Sequence, residues 1–453
     1  MLQHKNLILG AGLTGLSAAY HLNEEYAVYE KGSEIGGLCQ SEELDGFIFD
    51  YAPHILYTID PYASKLIHKL LKGNLEIKKR KAFIYHGRYD LYTQFPFQAH
   101  LYGLPTPVIM DCLKGVVEVL RRHEKPTPKH YEEWIYQRFG KGIAEHLMIP
   151  YSEKIWTIST QRMNYGWIDR RVPEPDFNTI LEGALTDVTE LTGFNNDFWY
   201  PVLGGIESLP AALAENVGNI NLDMKASRVY TKEKSVEFNN TTKAKYERMI
   251  STLPMPVNVD LLDEAPDHVK EAARNLEHNS IVCVNLGVDR PGISPHHWLY
   301  FYEKDFIFHR ISFPMNCSEK TAPPGTSSVC CEIAYSKYRP LEVRGRQNII
   351  QRTIDDLTKA KILKKDDKIL VSDVLSLKYA YVIYDLNHRK NVDTIHGYLH
   401  SRGIYPCGRF GEWEYFNMDH SIMSGKRVAD KINQLTGLLA PGVEAIRNDD
   451  LCA

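Results

Sequence analysis

The chain nowhere contains the ~18 consecutive apolar residues that a membrane-crossing helix needs, so no membrane span is expected and the protein is read as cytoplasmic. Its eight cysteines include one adjacent pair, Cys330 and Cys331, but no CxxC. That pattern excludes a zinc knuckle and a dithiol redox motif; reduced, mostly buried thiols and no metal site are expected. Neither charge dominates: the formal net charge of -4 gives no general pull toward nucleic acid or anionic lipid. The run KKRK, Lys78 to Lys81, lies between apolar segments and reads as a solvated strand or turn. Low-complexity tracts and repeats are missing, as are Ser-His-Asp and Cys-His constellations. What remains is 453 residues of ordinary globular composition, too long for one core, so two or three domains are expected.

The informative stretch comes first. Asn6 to Leu9 reads as a buried strand, and Gly10, Gly12 and Gly15 then form GxGxxG directly before the helical periodicity of LSAAYHL. Gly10 permits a tight turn, Gly12 lets backbone approach a pyrophosphate, and Gly15 lets helix and strand pack closely. The helix N-terminus offers free N–H groups and a positive dipole end, so no basic side chain is required. A second strand, YAVYE, ends in Glu30, placed to accept both ribose hydroxyls and to disfavour a 2'-phosphate.

Glu30 leads into the pair Gly36-Gly37, in the manner of the ExxxxxGG segment of large two-domain flavoproteins, which points to FAD. No second GxGxxG precedes a helix, and GKG at Gly140 to Gly142 lacks a preceding strand, so nothing dedicated to NAD(P) is visible. YPVLGGIESLPAALAENV, from Tyr200, has the form of a re-entry into the FAD domain, and MISTLPMP, from Met249, that of a later strand. Near the other end, GRFGEWEYFNMDHSIMSG is expected to close over the flavin: a strand to Gly408, a turn, then a helix from about Asp419 capped by Asp419 or Ser421. Gly408, Arg409, Met418 and Asp419 join the expected cofactor-binding set, with the helix N-terminus favouring an anionic reduced flavin.

Scattered motifs then occur in a specific order: YAPHILYTID (Tyr51 to Asp60), FPFQ (Phe95 to Gln98), YSEKIW (Tyr151 to Trp156), WIDRRV (Trp167 to Val172), FIFHRISF (Phe306 to Phe313) and the C-terminal signature. In this the chain resembles the UDP-galactopyranose mutase family, itself similar in fold to the amine-oxidase and protoporphyrinogen-oxidase flavoproteins. The resemblance implies that Arg171 and Arg310 hold the substrate diphosphate, with Tyr381 or Tyr384 and Tyr415 as hydroxyl donors. Guanidinium forks suit this, because charge-assisted bidentate bonds can retain a leaving group carrying about two negative charges. It further implies that Tyr151, Trp156 and Phe97 wall the uracil with Gln98 on its edge, and that His54 and Asn417 lie at the catalytic centre beside the flavin. Three positions depart from the family pattern: Ala52 replaces a glycine, Asn417 replaces an acid of bacterial mutases, and Cys317 falls near an expected substrate tyrosine.

The implied activity is a UDP-sugar pyranose/furanose mutase, in which N5 of reduced FAD attacks the anomeric carbon while UDP is retained and nothing is oxidised overall. The ligand is then a nucleotide sugar, with NAD(P)H as a candidate reductant and a homo-oligomer compatible with the sequence. A true FAD-dependent oxidoreductase acting on a nucleotide sugar, amine or porphyrin-like substrate is the alternative, since a shared fold does not fix chemistry. A flavin-carrying binding protein is the third.

The expected fold class is α/β: a Rossmann-like FAD-binding domain (1-62, 198-275, 396-435) interleaved with a substrate-side mixed β-sheet domain (76-100, 276-395) and a mainly helical insertion (104-197), with a tail at 436-453. Helices are expected after Pro107 and over 129-148, and the best sheet strands around IVCVNLGV and SSVCCEIAYS.

Overall fold

The computed structural model describes residues 2–124, 126–168, 171–188 and 196–437. Nearly all of the expected tail, from 438 on, lies outside the described residues. By internal contacts the chain divides into two units. One takes the segments up to Gly37, Pro210–Arg274 and from Thr394; the other takes Leu38–Leu209 and Asn275–Asp393. The division differs from the three-part expectation: 38-62 and 198-209 fall with the second unit, and the sheet and helical segments expected as separate domains belong to that same unit.

In the first unit, the strand Leu2–Leu9 pairs in parallel with Tyr26–Tyr29 on one side and with Thr242–Ser251 on the other. Ile404–Pro406 adds a further parallel strand beside Thr242–Ser251. Two antiparallel strands and the short Ile220–Asn221 complete, among the described residues, a seven-stranded sheet. Leu7 and Ile8 are fully buried, as expected of a parallel strand covered on both faces.

The helix Leu13–His21 follows the first strand after the glycine turn, and its close seating is steric. A Cβ on Gly15 would lie 2.0 Å from the Gly10 carbonyl oxygen. The C-terminal helix Met418–Leu435 lies against this first helix through a second close approach, since a Cβ on Gly425 would lie 2.3 Å from the Thr14 oxygen and 2.8 Å from the Ala18 nitrogen. Ser17 Oγ donates to the Ile422 carbonyl (2.7 Å), and Asn433 bridges the far end, donating to the His21 carbonyl (2.9 Å) and accepting from the Asn23 amide (3.0 Å). The two ends of the chain are thereby joined.

The N-cap of the C-terminal helix is Asn417, whose side chain makes no capping bond; Asp419 lies inside the first turn, so neither Asp419 nor Ser421 caps it. Asn417 takes the position because it is the last extended residue before the chain turns helical at Met418.

The second unit is built on a mixed seven-stranded sheet, with Glu277–Val288 paired antiparallel to both Ser327–Tyr335 and Ile369–Ile383. Arg310–Ser312, Trp298–Tyr300, Ala82–His86 and Leu91–Gln94 extend it in that order from Ser327–Tyr335. Val282, Val284, Leu286, Val329, Cys331 and Ile333 form one apolar face, covered by Ile349, Ile350 and Leu357 of the helix Arg346–Lys359. The helix Thr106–Arg121 begins with Pro107 in its first turn, and Tyr131–Ile143 crosses it. GKG is the crossing point: Gly140 has φ +74, and its Cβ would stand 2.2 Å from the Gly115 carbonyl carbon. All the described cysteines are buried.

The seam between the first and last helices supplies a prediction. Gly425→Ala should lower stability by about 1–3 kcal/mol, as overpacking does, despite alanine's better helix propensity. Urea unfolding measures it, and an unchanged midpoint would show that the helices are not in backbone contact.

Candidate functional site

In the first unit the expected cofactor residues gather around the N-terminus of the helix Leu13–His21. Gly10 turns the chain with φ +99, donates to the Tyr29 carbonyl (2.8 Å), and has no room for a side chain: its Cβ would sit 2.2 Å from Thr252 Oγ1. Gly36 donates to the Ala11 carbonyl (2.9 Å) and bridges Gly12, while Gly37 adopts φ +61. Glu30 braces the loop, its Oε2 accepting from the Ala11 amide (2.8 Å) and its Oε1 from Gly32 (3.0 Å). From the other end of the chain, Gly408 (φ +79) meets Thr14 so closely that a Cβ would come 2.5 Å from its hydroxyl, and it donates to Ser424 Oγ (2.7 Å).

Gly12 tests whether a dinucleotide fits. Unlike its neighbours it has an extended backbone, and a Cβ there would meet only ordinary contact, 3.7 Å from Gly37 Cα. Protein packing therefore does not demand glycine at the helix N-cap. Backbone approach of a pyrophosphate to the helix N-terminus does, and no first-turn acid opposes it.

The C-terminal signature folds on itself. Arg409 donates to the Phe416 carbonyl (2.6 Å), and its guanidinium stands 4.9 Å from the centre of the Tyr415 ring. Tyr415 is half-buried, Asn417 exposed, Met418 and Asp419 buried, with His420 Nδ1 2.9 Å from Asp419 Oδ1.

In the second unit Arg310 is the best-defined residue. It stands opposite Glu332 in the antiparallel ladder, and its guanidinium forks onto that fully buried carboxylate, Nε to Oε1 at 2.5 Å and Nη2 to Oε2 at 2.8 Å. Burial opposes the charge, but the Glu332 carboxylate overrides it and holds Arg310 firmly protonated. Tyr300 faces Arg310 from the strand on the other side, and Tyr381 places its hydroxyl 3.5 Å from Nη2.

Aromatic rings link this centre to the other arginine. Tyr381 meets Trp156 edge-on (5.7 Å between centroids), Trp156 meets Trp167 (4.8 Å), and Arg171 Nη1 donates to the Trp167 carbonyl (3.0 Å). Tyr384 lies 6.5 Å from Trp167, and Tyr151 packs on Tyr300 (5.4 Å), its hydroxyl pushed well up by burial and then by the neighbouring tyrosine. Gln98 donates to the Pro173 carbonyl (2.6 Å), two residues beyond Arg171, and the buried Phe97 packs on His86. Asp169 and Arg170 lie outside the described residues.

His54 stands half-buried on the loop after the strand Phe47–Asp50. Its Nδ1 contacts the Ala52 carbonyl (2.8 Å). A carbonyl can only accept, so Nδ1 carries the hydrogen and Nε2 is the basic nitrogen. Ala52 itself has φ +64, a left-handed conformation that costs an alanine about 1 kcal/mol and a glycine almost nothing.

Sequence reading missed Glu332 and Tyr300, which only strand register reveals. It also misread part of KKRK: Arg80 is buried, with its guanidinium 5.5 Å from the centre of the Phe95 ring, although Lys78 and Lys79 lie on the short strand Glu76–Lys79 as expected. Among the described residues no helix is long and apolar enough to cross a membrane.

Known proteins resemble this chain along nearly its whole length. The chain superposes on the crystal structure of a reduced UDP-galactopyranose mutase with a TM-score of 0.90 and 26% identity, covering 97% of this chain and 95% of that one. It is 23% identical to the 4,4'-diaponeurosporene oxygenase of Staphylococcus aureus (strain MW2), over 94% of this chain and 97% of that protein. To the coproporphyrinogen III oxidase of Bacillus subtilis (strain 168) it is 20% identical, over 95% and 98%. The flavin containing amine oxidoreductase family matches residues 13–433. With the glycine cradle, Glu30 and that near-complete match in agreement, the chain belongs to the flavin containing amine oxidoreductases and its cofactor is FAD.

Proposed function

We propose that the protein is a flavin-dependent UDP-sugar pyranose/furanose mutase. The observation carrying this reading is Arg310, a guanidinium fixed on a buried carboxylate in the sheet and tied through Tyr381, Trp156 and Trp167 to Arg171. Such a fixed cation needs no reorganisation when charge develops on a departing diphosphate. Similarity to the reduced UDP-galactopyranose mutase along almost the whole chain supports the same reading.

In this proposal bound FAD supplies the nucleophile. Gly10, Gly12, Gly15, Gly36, Gly37, Glu30, Gly408, Arg409, Met418 and Asp419 hold it. Arg171 and Arg310 bind the diphosphate before and after the glycosidic bond breaks. Tyr381 and Tyr384 donate hydroxyl hydrogens, Tyr151, Trp156 and Phe97 exclude water around the base, and Gln98 orients its edge. His54 Nε2 holds or releases a proton, and Tyr415 and Asn417 are proposed as catalytic groups of the nucleotide-binding unit.

A net redox reaction is the second reading. The S. aureus and B. subtilis relatives are named an oxygenase and an oxidase, and Ala52, Asn417 and Cys317 depart from the mutase pattern.

The two readings separate in one experiment. FAD-loaded, dithionite-reduced protein should convert UDP-galactopyranose or another UDP-sugar to its furanose form over many turnovers without consuming an acceptor. Absence of any furanose product, with flavin bleaching on anaerobic addition of substrate to the oxidised protein, would establish the redox reading instead.

Arg310 yields a further prediction. Arg310→Ala should lower kcat/KM by on the order of a hundredfold. It should also destabilise the fold by about 3–5 kcal/mol, because Glu332 is left as an unpaired buried carboxylate. The double variant Arg310→Met with Glu332→Leu should recover most of that stability and none of the activity. Recovery of both would remove Arg310 from the chemistry.

A further inference from the structure

The loop that carries His54 is held at both ends by one short strand, Asp197–Tyr200. At its start, Asp50 Oδ2 accepts from Tyr200 Oη (2.7 Å). At its end, Leu56 and Trp199 exchange backbone hydrogen bonds of 2.9 and 2.8 Å. Between these clamps lies a cavity of about 30 Å³ whose lining includes Asp50, His54, Tyr200, His297, Ser312 and Cys317. That is room for one water molecule, or two at most.

Two groups in the lining bear on what it could hold. Ser312 is 5% exposed, and its buried hydroxyl oxygen has no hydrogen-bond partner. Asp50 is a buried carboxyl whose acceptor positions are taken by three neutral donors from different segments: Ser41 Oγ (2.7 Å), the Ile206 amide (3.0 Å) and Tyr200 Oη. The other titratable groups facing it offer no cation. Glu207 is an acid, whose Oε2 accepts from the Ser41 amide (2.9 Å). Burial pushes the Cys317 thiol up to about 12. His297 accepts from the Lys81 amide at Nδ1 (2.9 Å) and is pushed down to about 4 by burial, so it is neutral.

We propose that Asp50 is the proton-holding partner of the histidine loop, joined to His54 by a wire consisting of Tyr200 and one water bound at Ser312. The transfer balances without any co-reactant. With Asp50 protonated the 2.7 Å contact runs the other way, the carboxyl O–H donating to Tyr200 Oη and the phenol O–H turning to the water. The carboxyl then gives its proton to the Tyr200 oxygen as Tyr200 gives its own to the water, and the water passes one on to His54 Nε2. Asp50 ends as a carboxylate and His54 as an imidazolium, with the phenol and the water regenerated. Running the steps backward returns the proton. Nδ1 cannot serve as the entry point, because it already carries a hydrogen directed at the Ala52 carbonyl.

The chemistry of Asp50 suits the role. Burial, helped by the Glu207 charge, outweighs the three donated bonds and raises its carboxyl to about 6. It therefore gains and loses a proton near neutrality, where a partner of histidine must. The catalytic use of this proton rests on the proposed role of His54; the wire itself does not.

The test follows the His54 resonances by NMR from pH 4.5 to 8 in full-length, FAD-loaded protein labelled at histidine Cε1, with His54→Gln assigning the signal. The wild-type His54 shifts should include an inflection that follows Asp50, near pH 6, and that component should be lost in Asp50→Asn, which keeps an acceptor for Ser41 and the Ile206 amide but cannot titrate. Ser312→Ala, which removes the anchor of the water and leaves all three donors to Asp50 in place, should lose it too, as should Tyr200→Phe, which breaks the wire and removes one of those donors. A His54 curve unchanged in Asp50→Asn, or unchanged in both wire variants, would overturn the proposal.

Should Asp50→Asn fail to fold, wild-type carboxyl 13C shifts decide the matter: a buried aspartate titrating near 6 supports the assignment, and one titrating near 4 sinks it. Stability gives an independent sign. A folded-state value near 6, above the usual 3.8, adds stability that is fully present below about pH 4 and lost as pH rises through 6. The melting temperature of wild type, but not of Asp50→Asn, should fall across that window. Loss of the inflection in a protein that makes no furanose would leave the wire standing and remove only the mutase reading.

Discussion

The ion pair between Arg310 and Glu332 is the constraint on which the substrate side of this protein depends. A carboxylate with no solvent access calls for a cation, and the antiparallel register sets Arg310 opposite Glu332 to supply one. That requirement fixes the guanidinium on one face of the sheet, on the strand that also carries Ser312 and opposite the strand that carries Tyr300. The same fork leaves part of the guanidinium edge directed at Tyr381. One interaction thus serves the sheet and presents a fixed positive charge.

The nucleotide-binding unit depends on a different economy, that of missing side chains. Gly10, Gly15, Gly408 and Gly425 each stand where a Cβ would strike within 2.5 Å of its neighbour. Their combined effect is to bring the glycine turn, the first helix and the C-terminal helix closer together than ordinary residues allow. Gly12 is the exception that makes the others interpretable, because a Cβ there would meet only ordinary contact. Glycines that serve packing and a glycine that serves a ligand look alike in sequence and differ in their surroundings.

Legibility followed the range of the interaction. The strand-turn-helix of Leu2 to His21 and the acid at Glu30 could be read because each cue is local. The order of the scattered motifs gave the family, and the sheet strands around Ile281 and Ser327 followed from their apolar composition. Glu332 could not be read as the partner of Arg310, since 22 residues and a strand reversal separate them. Arg80 appeared solvated because three lysines surround it, while in the fold its neighbour is Phe95. The cap at Asn417 was misplaced for a smaller reason: Asp419 and Ser421 are equally good capping types, and only the backbone shows which residue is last before the helix. The role of Asp50 was invisible because its donors come from Ser41, Tyr200 and Ile206, two of them some 150 residues away.

The pairing of the first helix with the last has a consequence for how the protein is made. During synthesis the glycine turn leaves the ribosome well before the helix that seats against it, since 405 residues separate Ser17 from Ile422. Until that later helix has been made, the strand and helix around the glycine turn lack the surface that seats them, so the cofactor cradle takes its final shape only when two distant segments of the chain have met.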